Sequence, residues 1–442
     1  MTTKFLIIGS GTREHAIAKA LHRSRHQPVL YCCGVTRNPG IDQLTKHYWV
    51  GDIHDVEAVL ALAERWQIDI VIIGPVAPLA NGLADALWKA GIATIGPKKN
   101  LAQIETNTFF PHRLLKKLHP KNLIEQRIFK EPYGIREYLE HLGSNQYVIK
   151  SNSGQRVKIG GEHLHSFNES VQYCEALSAA GHAVMIQEKI IGQEFTLTCF
   201  CDGNRLVPVP LMQTLQRVYV DDEGPHTGGM GCYSFANHRL PFLSETDYET
   251  ALHVNEAVIT ALTYEYQEPY MGFISGNFMA TKKGIQLVKL AARLGDPEAL
   301  NILALLATDF VEICEAMVSG TLTRELVAFE KKATVSKCIV PEGYPDNVIG
   351  QAILDVSRLQ DATSLYLGAV SIEEGKFYTT GGRAAAIVGM AESIVAAEKN
   401  TEDLVRLIKG PFFHREDIGT VELINRYIKQ MQELRQRDYR LL

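Results

Sequence analysis

The first hundred residues alternate between short apolar runs and amphipathic stretches, and that alternation most narrows the fold. Lys4–Ile8 is apolar and is followed by Gly9-Ser10-Gly11-Thr12-Arg13-Glu14-His15 and a helical pattern through Leu21. Further apolar runs lie at 28–32, 69–73 and 92–95, the last two closed by Gly74-Pro75 and Gly96-Pro97, with a helix predicted over 79–90. Strands that alternate with helices bury both faces of a parallel sheet. The pattern predicts a doubly wound α/β domain over residues 1–102.

Composition excludes several classes. A chain of 442 residues with 46% hydrophobic and 21% charged residues builds two to four folded domains rather than a disordered tail. The net charge of −5 and the lack of a long basic run argue against nucleic-acid binding. No apolar run reaches the length of a membrane span, and the N-terminus begins with a strand rather than a signal peptide. The eight cysteines form no C-x-x-C pair and read as reduced core thiols of a cytoplasmic protein, with Cys199 and Cys201 on one face of a strand. The Gly9-x-Gly11 turn lacks the third glycine of a dinucleotide fingerprint and an acidic partner for a ribose, so it is a weak NAD site.

A second informative stretch is Leu287-Val288-Lys289-Leu290-Ala291-Ala292-Arg293-Leu294-Gly295-Asp296-Pro297-Glu298. It reads as a buried strand, fed by a hairpin about Lys283-Gly284, and then a turn that opens a helix running to about Met317. Gly295 suits backbone angles closed to other residues, Asp296 suits the N-cap and Pro297 the first helical position. Such a helix start offers free N–H groups to an anion. Gly228, Gly229 and Gly231 within Gly224–Ser234 mean backbone approaching another strand or a ligand closely. Strands are expected at 195–201, 333–340 and 384–390, a helix at 393–407, and a charged, solvated helix or subunit contact from Thr420 to the end.

In order along nearly the whole chain, these stretches resemble the glycinamide ribonucleotide synthetase (phosphoribosylamine–glycine ligase) family of the ATP-grasp superfamily. The matches are Gly9, Gly11, Arg13, Glu14, His15 and Ala16; the loop Gly74-Pro75-x-Ala77-Pro78-Leu79; Gly224-Pro225-His226-Thr227-Gly228-Gly229-Met230-Gly231-x-Tyr233-Ser234; Arg293 with Gly295-Asp296-Pro297-Glu298; Gly381-Gly382-Arg383; and His414–Gly419. The resemblance implies an ATP-grasp domain over 103–328, with a lid at about 123–190, and a small α+β domain over 329–442. It implies ATP-dependent joining of glycine to 5-phosphoribosylamine through an acyl phosphate, by a monomer or homodimer. Arg293 is the implied catalytic residue. Lys150, Glu188, Ile190 and Glu194 are implied to bind ATP, and Arg217, Gly228, Gly229, Met230 and Asp296 the substrates. The mobile phosphate loop falls on Ser151–Gly161, with Arg156 and Lys158.

Several positions depart from the family text. The family's Mg²⁺-holding Glu and Asn fall on Lys289 and Ala291, which offer no oxygen ligand, so no metal ligand is assigned. Thr108 replaces a phosphate lysine, Val76 a glutamate, and Thr214-Leu215-Gln216 an Asp-His-Lys run. A second reading therefore stands beside the ligase: a non-catalytic paralogue that binds nucleotide or a partner without turnover.

Overall fold

The computed structural model describes residues 2–116, 123–152, 157–359 and 363–436; Arg156 lies outside them. The N-terminal sheet comprises β1 (Lys4–Ile8), β2 (Val29–Gly34), β3 (His47–Val50), β4 (Ile70–Ile73) and β5 (Ala93–Ile95), in the order β3-β2-β1-β4-β5. All four pairings are parallel, so the strands need helical crossovers and, apart from the edge strand β3, bury nearly every side chain. The predicted helix at 79–90 is two helices, Val76–Ala80 and Leu83–Lys89, because Gly82 takes φ +87° between them.

A separate small sheet follows. β6 (Gln126–Phe129), β7 (Tyr147–Ser151), β8 (Lys158–Ile159) and β9 (Val184–Glu188) pair antiparallel in the order β6-β9-β7-β8. Helices Ile135–Leu142 and Phe167–Ala179 cover it, and it encloses a core of its own around Leu139, Tyr147, Ile149, Cys174 and Ile186. Two independent cores permit one layer to move against the other.

The next strands are β10 (Gly192–Asp202), β11 (Leu206–Pro208), β12 (Gln213–Tyr219), β13 (Glu223–Ser234), β14 (Met271–Thr281) and β15 (Gly284–Ala291). Four of them form the sheet β11-β10-β14-β15. The β14–β15 turn is Lys282-Lys283. Opposite Asn277 and Phe278 the register slips, leaving Val288 as an extra residue in β15. Cys199 and Cys201 share one buried face of β10 and Phe200 the other, and all eight cysteines are free and buried.

The helix expected from Pro297 to about Met317 is interrupted. Its two parts are Glu298–Leu305 and Phe310–Ser319, and the Asp309 carboxylate caps the second by accepting from the Val311 N–H at 3.0 Å. A side-chain cap in mid-pattern restarts a helix in a new direction.

β12 and β13 leave the sheet as a ribbon and join β16 (Ala333–Pro341). Beyond these lie β17 (Ile353–Leu354), β18 (Leu365–Leu367), β19 (Val370–Glu373), β20 (Lys376–Thr379) and β21 (Ala385–Ala391). The larger sheet runs β12-β13-β16-β21-β18 and the smaller one β17-β20-β19. The terminal helix Val421–Arg435 is not the solvated element expected. It buries Leu423, Ile424, Tyr427, Ile428 and Met431, and Arg435 pairs with Asp247 at 2.7 Å. Glu422, Arg426, Lys429 and Glu433 share one face and Arg435 turns inward, which an overall reading of the tail as charged conceals. No described helix is long and apolar enough to cross a membrane.

Candidate active site

Two adjoining cavities, of about 310 and 880 Å³, form one cleft between the small β6–β9 sheet, the β14–β15 hairpin and the β12–β13 ribbon. Lys150, Gln187, Asn277, Lys289 and Gly228 line both cavities, so the two volumes are one site. Arg293 and Asp296 lie in the inner part, and Glu188, Ile190, Glu194 and Arg217 in the outer part. Residues predicted from widely separated stretches thus converge. Gly229 and Met230 do not join them. Met230 is fully buried in the core, and a Cβ on Gly229 would stand 2.6 Å from Pro297 Cδ. The glycine-rich text is strand rather than loop, and Gly229 serves the approach of the ribbon to the helix start.

The inner cavity is floored by the turn after β15. Arg293 Nη2 pairs with Glu105 Oε1 at 2.9 Å, and the other oxygen of Glu105 accepts from the Ala292 N–H at 2.7 Å. Asp296 is not an N-cap, which corrects the sequence reading. The helix begins at Glu298 with Pro297 in the cap position and no side-chain cap. The Asp296 carboxylate instead accepts from Thr12 Oγ1 at 3.0 Å and pairs with Arg383 Nη2 at 2.8 Å. Burial opposes its charge, yet Arg383, Arg13 and Thr12 hold its pKa below the ordinary carboxylate value. The same environment raises that of Arg383 against its own desolvation. Gly295 is needed for space rather than for unusual backbone angles, since a Cβ there would meet Glu298 Oε2 at 2.3 Å. Glu298 accepts from Thr214 Oγ1 at 2.8 Å.

In the outer part, Lys150 comes from β7 and Lys289 from β15. The extra residue at Val288 re-aims the strand, so that Val288 and Lys289 both line the cleft. Burial, then the charge of Lys289, lower the Lys150 pKa to about 8, against the opposing pull of Glu194. Burial raises the Glu194 pKa despite Lys289 and Lys150. Arg217 is tied to Glu162 and donates to the Gly224 carbonyl at 2.8 Å, while Glu188 pairs with Lys283 at 3.4 Å. Thr108 lines the inner cavity where the resemblance places a lysine.

The Gly9-x-Gly11 turn has its donor taken within the chain. Glu14 folds back onto it, accepting from the Gly11 N–H at 2.7 Å and from Arg13 Nε at 2.6 Å. A carboxylate already occupies those donors, which removes the dinucleotide reading.

Against known families, the model described as phosphoribosylglycinamide synthetase, N domain, matches residues 3–105. The ATP-grasp (A) domain model of the same enzyme matches 106–299 and its C domain model 334–421. The chain is 41% identical to the phosphoribosylamine–glycine ligase of Methanosarcina barkeri, over 98% of this chain and 100% of the relative. The chain belongs to the phosphoribosylamine–glycine ligase family. The Methanosarcina acetivorans ligase is also 41% identical, over 98% of both chains. A crystal structure of the phosphoribosylamine–glycine ligase of Thermotoga maritima superposes with a TM-score of 0.78 at 22% identity, covering 94% of this chain and all of that one. That likeness establishes the fold shared within the family.

Sequence reading missed Glu105 and the partners of Glu298 and Arg383. Arg383 was legible as the end of Gly381-Gly382-Arg383, without a partner to assign it. Nothing near Glu105 in the sequence signals a pair with a residue 188 positions away.

Proposed function

We propose that this chain is an ATP-dependent carbon–nitrogen ligase that joins glycine to 5-phosphoribosylamine in purine biosynthesis. The supporting observation is the 41% identity, along 98% of the chain, to a protein named phosphoribosylamine–glycine ligase. The cleft supplies the means. A glycine carboxylate oxygen bonds to the γ-phosphorus of ATP, and the bond to ADP breaks. The amine nitrogen of 5-phosphoribosylamine then bonds to the acyl carbon, phosphate leaves with its electron pair, and the nitrogen gives up a proton. This chemistry depends on positioning and on neutralising the transferred group. On this reading Arg293 steadies the phosphoryl group from the floor, and Lys150 holds an upstream phosphate. Glu194 receives the ribose hydroxyls. Gly228 leaves backbone open to the substrates, and the fixed Asp296–Arg383 pair borders them.

The family's Mg²⁺ does not fit the residues present. Lys289 and Ala291 replace its ligands. Of the carboxylates of the inner cavity, Glu105 is paired with Arg293 and Asp296 with Arg383, which leaves Glu298, accepting from Thr214, as the one without an ion pair among the described residues. Among the described residues, the one cluster of three side chains able to share an ion is His26, Asp309 and Glu312, which does not line the cleft. No step is therefore assigned to a metal.

We place the protein in the cytoplasm as a monomer or homodimer, with residues 1–102, 103–328 and 329–442 as its domains. ADP release from the full chain tests the function. Release should require both glycine and 5-phosphoribosylamine. Release that ignores either substrate, or none at all, would overturn the ligase and leave the non-catalytic reading.

A further inference from the structure

Three lysines line the outer cleft without an ion-pair partner among the described residues: Lys150, Lys158 and Lys289. The other cations there are already matched, Lys189 and Arg217 by Glu162. Glu188 is matched by Lys283 and Asp346 lines the cleft as well, but Glu194 is the carboxylate that acts on Lys150. His226 and His163 add no fixed charge, because burial lowers the pKa of each. Lys150 and Lys289 therefore set two positive charges against the one carboxylate of Glu194 at the place where the family's strand offers oxygen ligands. Lys289 is exposed, so solvation rather than a carboxylate satisfies its ammonium group.

We infer that this cleft takes the polyphosphate of its nucleotide directly on lysine, in metal-free form, and that a divalent cation competes with binding instead of enabling it. The inference rests on the nucleotide reading above. The physical case is charge balance. Two ammonium groups that repel across a cleft are relieved by an anion between them, and the relief grows with the anion's charge. The metal-free triphosphate carries two more negative charges than its magnesium complex. The complex also brings a cation toward Lys289, with no oxygen ligand at 289 or 291 to receive it. Burial first, and then the charge of Lys289, lower the Lys150 pKa, in keeping with two ammonium groups set close to one another.

Isothermal titration of the full chain with ATP tests this, in EDTA and in excess Mg²⁺ at matched ionic strength. Binding should be tighter in EDTA by about fivefold or more. Lys289→Met should weaken the metal-free complex by about tenfold. Since Lys289 is exposed, this variant should keep the wild-type circular dichroism and melting temperature. Lys289→Glu with Ala291→Asn should reverse the preference, so that ATP binds only with Mg²⁺. Wild-type binding that requires Mg²⁺, or a Lys289→Met variant that binds metal-free ATP unchanged, would overturn the inference while sparing the nucleotide reading. Absence of ATP binding in both buffers would overturn both together.

Discussion

Arg293 Nη2 lies 2.9 Å from Glu105 Oε1, so the residue expected to meet the transferred phosphoryl group is held from behind. Glu105 belongs to the short helix Gln103–Thr106 and also fixes the backbone at Ala292. A guanidinium fixed in this way meets developing charge without first reorganising. Arg293→Ala should reduce the rate of ADP release by about 10²–10³-fold at saturating substrates. Glu105→Gln keeps a hydrogen-bond acceptor for Ala292 and should cost about tenfold or less, through a looser Arg293. Steady-state kinetics of both variants decide the matter. Equal losses would mean that Arg293 only supports the fold.

Asp296 and Arg383 join three parts of the chain. Thr12 in the first helix donates to Asp296, and Arg383 also donates to the Gly229 carbonyl at 2.9 Å. Arg383→Ala leaves a largely buried carboxylate without its ion-pair partner and should cost about 3 kcal/mol, the low end for such a pair, in urea unfolding. Because the folded Asp296 pKa is depressed, its contribution is complete above the unfolded value. It is lost as pH falls from that value through the folded one. The stability gap between wild type and Arg383→Ala should therefore shrink under acid. A gap that held constant down to acid unfolding would show that the pair contributes no charge interaction.

Neighbouring glycines should separate stability from binding. Gly229 has φ +129° and Pro297 Cδ 2.6 Å from its hypothetical Cβ, so Gly229→Ala should destabilise by about 1–3 kcal/mol. The nearest atom to a Cβ on Gly228 is 3.8 Å away, on Arg383. Gly228→Ala should keep the melting temperature while weakening ligand affinity, because this residue lines both cavities. Thermal melts and titration calorimetry of the two variants check this. Similar melting losses in both would place Gly228 in the packing rather than on the cleft.

Strand and helix existence was legible wherever periodicity and turn residues agreed, as at Lys4–Ile8 and through the hairpin before Arg293. Interruptions were not. The chain breaks at Gly82 and before Asp309, where one glycine or one capping carboxylate overrides an unbroken apolar pattern. In the cleft, motif text located Lys150, Arg293 and Arg217, but partners were invisible because ion pairs join distant positions. Asp296 shows the cost. Its place before Pro297 suits an N-cap, yet Arg383, 87 residues later, takes its carboxylate. Tertiary charge decided against local propensity. The bulge at Val288 was likewise unreadable, since a register slip is a property of two strands.

The titration of Lys150 offers a further test. Burial and Lys289 lower its pKa from 10.5 to about 8 in the folded protein. Between those values the unfolded chain binds more protons than the native one, so this residue's contribution to stability improves as pH rises across the window. Ligand binding should run the other way, because a phosphate needs the ammonium form. ATP affinity in EDTA should hold up to about pH 7 and weaken steadily to about pH 9. Lys289→Met removes the repulsion from across the cleft and should move that decline to higher pH, even though affinity at neutral pH is lower. Calorimetry over this range at constant ionic strength reads both effects. A wild-type affinity independent of pH would show that Lys150 does not touch the phosphates. A decline that stays in place in Lys289→Met would show that the two ammonium groups do not share one anion.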